Sequence, residues 1–600
     1  MRQGAFMRLS LTAFLAGLAG GVFAGDLLRP CFAERLPPGS VRPEGYLRRQ
    51  LELQRDGLTG HAEELYDDIG KSDWLTQAGK GGEFAWERGP YYAKGLVSLA
   101  FALEDAGLKA KASRWVDAIL GSQRPNGDFG PKNRNWWANM IALWLLRDWQ
   151  EATGDGRIVP FMKRYFAFQR TEFTAYSLSA ESKWAVARAG DELDVVLWLY
   201  GKTKEAEWLD FARVVASQSA DWTGYYRYGG DGAKDGYRSH IVNFMQGLKT
   251  PALRWLLDGD EAKRMAYKAA FDPAGWVMRR CGRPDGMING SEPLSDTSAS
   301  GGTELCAIAE RILSSQVQLS VFGEADVGDD LETVAYNSLP ATLSEDGKGI
   351  RYYLMLNQPS CIDRGLLFAN NGFGAQITGA VCAGPHSGFG CCRSNFHLAW
   401  PKFTETMWMA REGGLAAVVY GDCKVETPLA TIAESGGYPF SDSVKLTVEK
   451  TKGGEWPLFV RIPGWCSAPE VLVNGEAWRV ESGKSFCRIS REWKSGDIVS
   501  LKFPSEPVAS FWENDAVCIR RGALLYALPV AGKTRLVTNY PVPYEKRKAG
   551  ERESEFPRRE IQATMPWNYA LVMQPGGCKP VMEMIGSGES MRIRVPQFVK

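Results

Sequence analysis

Two short stretches of this 600-residue chain carry side chains dense enough in donors to do chemistry. The first, Gly301-Gly-Thr-Glu304-Leu-Cys306, opens a helical pattern; the second is Gly388-Phe-Gly-Cys391-Cys392-Arg-Ser-Asn395-Phe-His397. Three thiols and a carboxylate can enclose Zn2+ as a closed tetrahedral set. Two of these donors come from one turn and two are adjacent, so the fold would have to bring two separate loops together. The spacing is unlike a zinc ribbon, which uses two Cys-x-x-Cys pairs. Residue types alone leave other readings open: a vicinal Cys391–Cys392 disulfide, or two buried thiols. A further carboxylate, Glu292 in Ser291-Glu-Pro293, precedes Glu304 by twelve residues.

Something rigid must position these loops. From about Tyr46 to Phe271 the pattern is helical and repeats through the turn glycines Gly107, Gly154, Gly201 and Gly259, at intervals of 47, 47 and 58 residues. Each interval holds two helices of ordinary length, so the unit is a helical hairpin. Ala142 to Trp149 and Ala252 to Leu257 are apolar on more than one face, as expected of helices inside a second layer. No polar capping repeat stands at either end, which favours a closed toroid over an open solenoid. After Gly413 short β-rich runs take over, with Asn474-Gly475 as a strong hairpin signal. We therefore expect a helical toroid over 25–412, a β-sandwich over 413–510, and further strands over 511–600 that complete or extend the sandwich region.

Composition narrows the function. Hydrophobic residues are 44% and charged residues 24%, and 71 Lys plus Arg against 70 Asp plus Glu leave a net charge of +1. That balance gives no electrostatic footprint for nucleic acid. Arg2 and Arg8, the apolar run Leu9 to Ala19 and the small residues of Val22-Phe-Ala24 read as a secretory signal over 1–24, cleaved after Ala24. Export to the periplasm or the outside is expected, with no membrane span once the signal is gone. Twelve cysteines are too dilute in 600 residues for a disulfide scaffold.

Glu304-x-Cys306-Ala, followed by Cys391-Cys392 and Asn395, resembles the hallmark of glycoside hydrolase family 127, the β-L-arabinofuranosidase-like group. The resemblance extends from about residue 40 to 570, through Trp86-Glu-Arg-Gly-Pro-Tyr-Tyr92, Gln123-Arg-Pro-Asn-Gly-Asp-Phe-Gly-Pro131, Trp136-Trp137, Arg461-Ile-Pro-Gly-Trp465 and Arg520-Arg-Gly522. It implies an (α/α)6 barrel followed by β-sandwich, and Zn2+ held by Glu304, Cys306, Cys391 and Cys392. It further implies Cys391 as nucleophile, with an upstream glutamate, here Glu292, as general acid/base. His240 resembles a substrate-binding histidine of the family, and Tyr353 its pocket tyrosine. The Glu292–Glu304 loop looks shorter than in the best-known members. Gly190-Asp-Glu-Leu193 stands where a histidine-bearing motif is expected, so the sugar recognised can differ from arabinofuranose.

Physical chemistry agrees with those roles. Three thiolates and one carboxylate around Zn2+ carry a surplus of negative charge, which keeps a bound thiolate electron-rich enough to attack carbon. With Glu292 as proton donor and then base, the outcome is a retaining double displacement. Trp137 and other aromatics can stack on sugar faces, although aromatics serve cores more often. The sequence thus reads as an exported, zinc-dependent exo-glycosidase acting on oligo- or polysaccharides. A non-catalytic carbohydrate-binding protein with a structural zinc is the alternative. A polysaccharide lyase would need a basic cluster for proton abstraction, and none is found.

Overall fold

The computed structural model describes residues 28–132, 135–230, 237–363, 379–480, 485–513, 516–538 and 555–565, together with four short strands between 570 and 599. The expected signal segment lies outside the described residues. Six inner helical segments form a closed ring: Arg88–Ala102, Trp136–Thr153, Gly190–Thr203, Ile241–Gly247 continuing as Lys249–Asp258, Leu305–Phe322, and Gly390–Asn395 continuing through Ala399–Thr406. Each packs on the next, and the last returns to Arg88–Ala102. Every residue from Leu305 to Val321 is buried, whereas the outer helix Ala106–Gly121 buries a single stripe of Leu108, Ala112, Trp115, Val116 and Ile119. That contrast separates the inner layer from the outer one. The expected (α/α)6 barrel followed by β-sandwich is what the chain forms.

Local chemistry sets the hairpins. Asn135 caps the second inner helix by accepting from the Ala138 N–H, and Gly154 ends it in the left-handed region at φ 71°. An L side chain rarely adopts that conformation, so glycine stops the helix and turns the chain.

Two sheets make the sandwich. One orders Glu34–Arg35, Trp408–Arg411, Gly414–Ala417, Glu455–Arg461 and Phe486–Glu492. The other orders Glu476–Ala477, Glu470–Val473, Ile498–Lys502, Ser443–Thr451, Ala430–Ser435, Cys423–Glu426 and Val41–Pro43. Each sheet therefore takes an edge strand from the chain's N-terminal part, ahead of the barrel. Asn474 and Gly475 both have positive φ, 52° and 86°, and join Glu470–Val473 to Glu476–Ala477 as the tight hairpin the sequence announces. Buried Arg461 locks sandwich to barrel by pairing with Asp329 and Glu332 and donating to the Val418 carbonyl.

The barrel axis is polar. Lys249 pairs with Asp191 at 3.1 Å and with Glu310 at 3.6 Å, Lys94 lies 3.8 Å from Asp191, and Asn395 donates to Glu310 at 3.1 Å. These residues come from five of the six inner segments, and all are fully buried. Breaking a buried pair of this kind typically costs about 3–5 kcal/mol, so the network specifies how the inner helices face one another.

Glu192, next to Asp191, is buried without a cationic partner, and burial pushes its carboxyl up to about 8. The folded state then holds this proton more tightly than the unfolded state. The resulting stabilisation is complete below the unfolded value near 4.5 and is lost as pH rises to about 8. Glu192→Gln keeps the side chain neutral at every pH. Calorimetry should find its melting temperature above wild type at pH 8.5, with the gap closing toward pH 5.

Candidate metal and catalytic centre

Glu304 closes the short strand Thr303–Glu304 and stands immediately before helix Leu305–Phe322, which places Cys306 in the first turn. The strand pairs with Tyr353–Leu354, setting Glu304 opposite Tyr353. Cys391 and Cys392 lie in the first turn of Gly390–Asn395. The donor atoms of Glu304, Cys306, Cys391 and Cys392 all fall within 4.8 Å of one another. The Cys306 and Cys392 sulfurs are 3.2 Å apart, and Glu304 Oε1 is 3.6 Å from Cys392 Sγ and 3.8 Å from Cys391 Sγ. Glu304 Oε2 is buried with no hydrogen-bond partner. Three sulfurs and a carboxylate with one orphaned oxygen suit a tetrahedral metal ion.

Close packing clamps the two loops. Arg88 and Arg393 both donate to Asp68 Oδ2, at 2.8 and 2.7 Å, and Arg88 lies so close to Gly390 that a Cβ there would sit 1.6 Å from its Nη1. On the other side, buried Arg283 reaches Asp285, Asn289, Thr303 Oγ1 at 2.6 Å and the Leu354 carbonyl at 2.9 Å. Asn289 in turn donates to the Asp296 and Ser298 carbonyls, folding back the loop that leads to Glu304.

Glu292 arrives by a backbone pairing. Ile241 N–H donates to the Glu292 carbonyl and Leu294 N–H to the Ser239 carbonyl, both at 2.8 Å. That brings His240 Nε2 to 2.9 Å from Glu292 Oε2. The Val242 N–H donates to His240 Nδ1 at 3.2 Å, so Nε2 carries the hydrogen that faces the carboxylate. Tyr352 and Tyr353 hydroxyls both donate to Glu292 Oε1, at 2.6 and 3.2 Å. Glu292 has φ 84°, a conformation that costs a non-glycine residue about 1–3 kcal/mol and clusters at functional sites.

The electrostatics follow from crowding. Burial, then the charges of Glu292 and Cys391, push Glu304 well above the carboxylate range. Burial likewise raises the Cys306 and Cys392 thiols. Cys391 goes the other way, because hydrogen bonds from the Cys306 and Cys392 thiols, and then from Tyr352, favour its thiolate. Cys391 is also the only one of the four that is not fully buried.

The structure thus gathers Glu292, His240, Glu304, Cys306, Cys391, Cys392 and Tyr353 at one end of the barrel. Trp137 stands behind them, 1% exposed, with its indole N–H on Glu87 Oε2 at 2.6 Å. Tyr352 matters more than sequence reasoning suggested. Its hydroxyl is 3.4 Å from Cys391 Sγ and 2.6 Å from Glu292, so it spans the two candidates. The sequence points to Tyr353 as the pocket tyrosine, whereas the contact with Cys391 falls to Tyr352, just ahead of the strand Tyr353–Leu354. Arg283 and Asp68 carried no motif signal at all. His397, by contrast, is structural: burial pushes it down to about 3, and it bonds Thr59 at 2.8 Å.

Gly388 has φ 64°, and a Cβ there would lie 2.2 Å from the Tyr352 ring. Gly388→Ala should therefore lower the melting temperature and displace Tyr352. Elemental analysis should find bound divalent metal in the wild type and less of it in Cys306→Ser and Cys392→Ser. Peptide mapping that recovers Cys391 joined to Cys392 as a disulfide would contradict the donor set.

Residues 289–405 match the family model of the β-L-arabinofuranosidase GH127 catalytic domain, and residues 414–505 that of the GH127 middle domain. No curated protein matches the chain in sequence. Among solved structures, one described as a glycoside hydrolase shares 17% identity at a TM-score of 0.64, over 84% of this chain and 85% of its own. A GH127 β-L-arabinofuranosidase from Geobacillus stearothermophilus T6 shares 17% at 0.64, over 83% and 89%. A GH127 β-arabinofuranosidase shares 16% at 0.61, over 86% and 90%. At these identities the structural likeness speaks for the fold, and the two matched domains speak for the family. Two loops carrying Glu304-x-Cys306 and Cys391-Cys392, meeting at the end of a six-hairpin barrel backed by a β-sandwich, place this chain among the glycoside hydrolases of family 127.

Proposed function

We propose that the chain is a zinc-dependent, retaining exo-glycosidase of β-L-arabinofuranosidase type, removing terminal sugars from oligo- or polysaccharides. The observation that carries this reading is the Tyr352 hydroxyl, 2.6 Å from Glu292 and 3.4 Å from Cys391. One hydroxyl thus joins the candidate proton-transfer group to the candidate nucleophile. The charged N-terminal end and apolar run of residues 1–24 support export, and residues 25–412 are read as the catalytic unit.

Glu304, Cys306, Cys391 and Cys392 would hold the ion. Bound Zn2+ supplies positive charge that keeps the three thiols deprotonated. Cys391, the one ligand residue that is not fully buried, attacks the anomeric carbon. Glu292 gives its proton to the glycosidic oxygen, so the C–O bond breaks as the C–S bond forms. Glu292 then takes a proton from water, whose oxygen displaces the sulfur and restores the Cys391 thiolate. Two inversions retain the configuration. Tyr352 and His240 hold the Glu292 carboxyl in line through its two oxygens.

Cys391→Ser should abolish turnover of aryl glycosides even in molecules that still hold zinc, because an alkoxide is far harder to form than a thiolate. Cys392→Ser should lose activity roughly in proportion to lost metal. A sugar electrophile directed at the anomeric position should add its mass to the peptide containing Cys391. Label on a glutamate would instead indicate a two-carboxylate mechanism, and normal turnover by Cys391→Ser would remove Cys391 from catalysis. Tyr352→Phe should lower kcat by about tenfold or more while retaining zinc, since a charge-assisted hydrogen bond of this kind contributes about 1.5–3 kcal/mol.

A further inference from the structure

We infer that Glu87 and Arg188 form a hydroxyl-binding subsite beside Cys391, and that this subsite takes a neutral sugar with adjacent hydroxyl groups rather than a uronate. The inference rests on the glycosidase reading for its ligand class. Its geometry comes from a cluster that the catalytic steps do not use.

Arg188 is 6% exposed and Glu87 is 3% exposed. Arg188 Nε donates to Asn243 Oδ1 at 2.7 Å, and its Nη1 lies 3.3 Å from Glu87 Oε2 and 3.4 Å from the Tyr91 hydroxyl. The guanidinium carbon lies over both the Trp137 and Trp184 rings, 4.5 Å and 4.9 Å from their centroids. Glu87 Oε2 is occupied by Trp137 Nε1 as well. Arg188 Nη2 and Glu87 Oε1 take no partner among the described residues, yet neither belongs to the sealed, unpartnered atoms that the fold encloses elsewhere. One strong donor and one strong acceptor thus remain open to solvent on a rigid, largely desolvated wall.

The wall borders the reaction centre on both flanks. The Trp184 ring stands edge-on to His240 at 5.0 Å, and His240 holds Glu292. On the other side Arg88, the residue after Glu87, packs directly against Gly390, the residue before Cys391. A guanidinium N–H beside a carboxylate oxygen matches two neighbouring sugar hydroxyls, one accepting and the next donating. The pair is close to neutral in sum, and the nearby donor set is anionic. A sugar carboxylate would find no uncompensated positive charge there and would be repelled by the thiolates.

The test is saturation binding of L-arabinose, D-galactose and D-glucuronate to the zinc-loaded full chain, read by tryptophan fluorescence and by saturation-transfer NMR. At least one neutral sugar should saturate, and glucuronate should not. Arg188→Met should weaken the neutral sugar by about tenfold or more. Arg188→Lys, which keeps the charge beside the tryptophan rings but loses the fork, should do the same and covers the case in which the Met variant fails to fold. Glucuronate binding as tight as the neutral sugars, absence of saturation by either neutral sugar, or unchanged affinity in the folded variants would overturn the inference. Turnover of aryl glycosides is measured separately: its absence while sugar binding persists would remove the glycosidase reading and leave the subsite standing.

Discussion

Acids cannot be crowded together out of water unless something holds them there. Glu304 and three cysteine sulfurs converge at the buried end of this barrel, where burial and neighbouring charge oppose ionisation of Glu304, Cys306 and Cys392. A cation relieves that opposition, and the donor set is the kind that Zn2+ prefers. Yet the cluster cannot assemble itself. Its two halves lie more than eighty residues apart in the chain, and each has to be pinned before the donors can face one another.

Much of the surrounding structure does this pinning. Asp68 holds Arg88 and Arg393 together and so fixes the turn that bears Cys391 and Cys392. Arg283 ties Thr303, Asn289 and the Leu354 carbonyl into one unit beneath Glu304. Deeper down, the Lys94, Asp191, Lys249, Glu310 and Asn395 network sets the inner helices that carry both halves. Buried charges contribute little net stability in such a place, but they make wrong helix rotations costly. Arg461 extends the same logic outward, since its pairs with Asp329 and Glu332 hold the sandwich against the barrel.

Glu292 shows where local preference gives way. Its φ of 84° runs against what its side chain favours, and the surrounding pairings with Ser239 to Ile241 over-determine it. The return is placement: both carboxyl oxygens are engaged, one by His240 and the other by Tyr352 and Tyr353. A relaxed backbone at this position would aim the carboxyl elsewhere.

Periodicity and turn chemistry are local properties, so the sequence by itself determined the helical hairpins, the shift to strands after Gly413 and the Asn474-Gly475 turn. Rare residue types at unusual spacing likewise marked Glu304, Cys306, Cys391 and Cys392. What only the tertiary structure decided is relative placement. That Glu34–Arg35 and Val41–Pro43 leave the barrel side of the chain to edge the sandwich, and that Tyr352 rather than its neighbour bridges Cys391 and Glu292, both depend on contacts between distant segments. The Arg188–Glu87 pair is the sharpest case. Trp86-Glu87-Arg88 was legible as a lineage motif, but Glu87 acquires meaning only beside Arg188, 101 positions away. Nothing in either local sequence encodes that meeting; it is set by how neighbouring inner helices pack around a common axis.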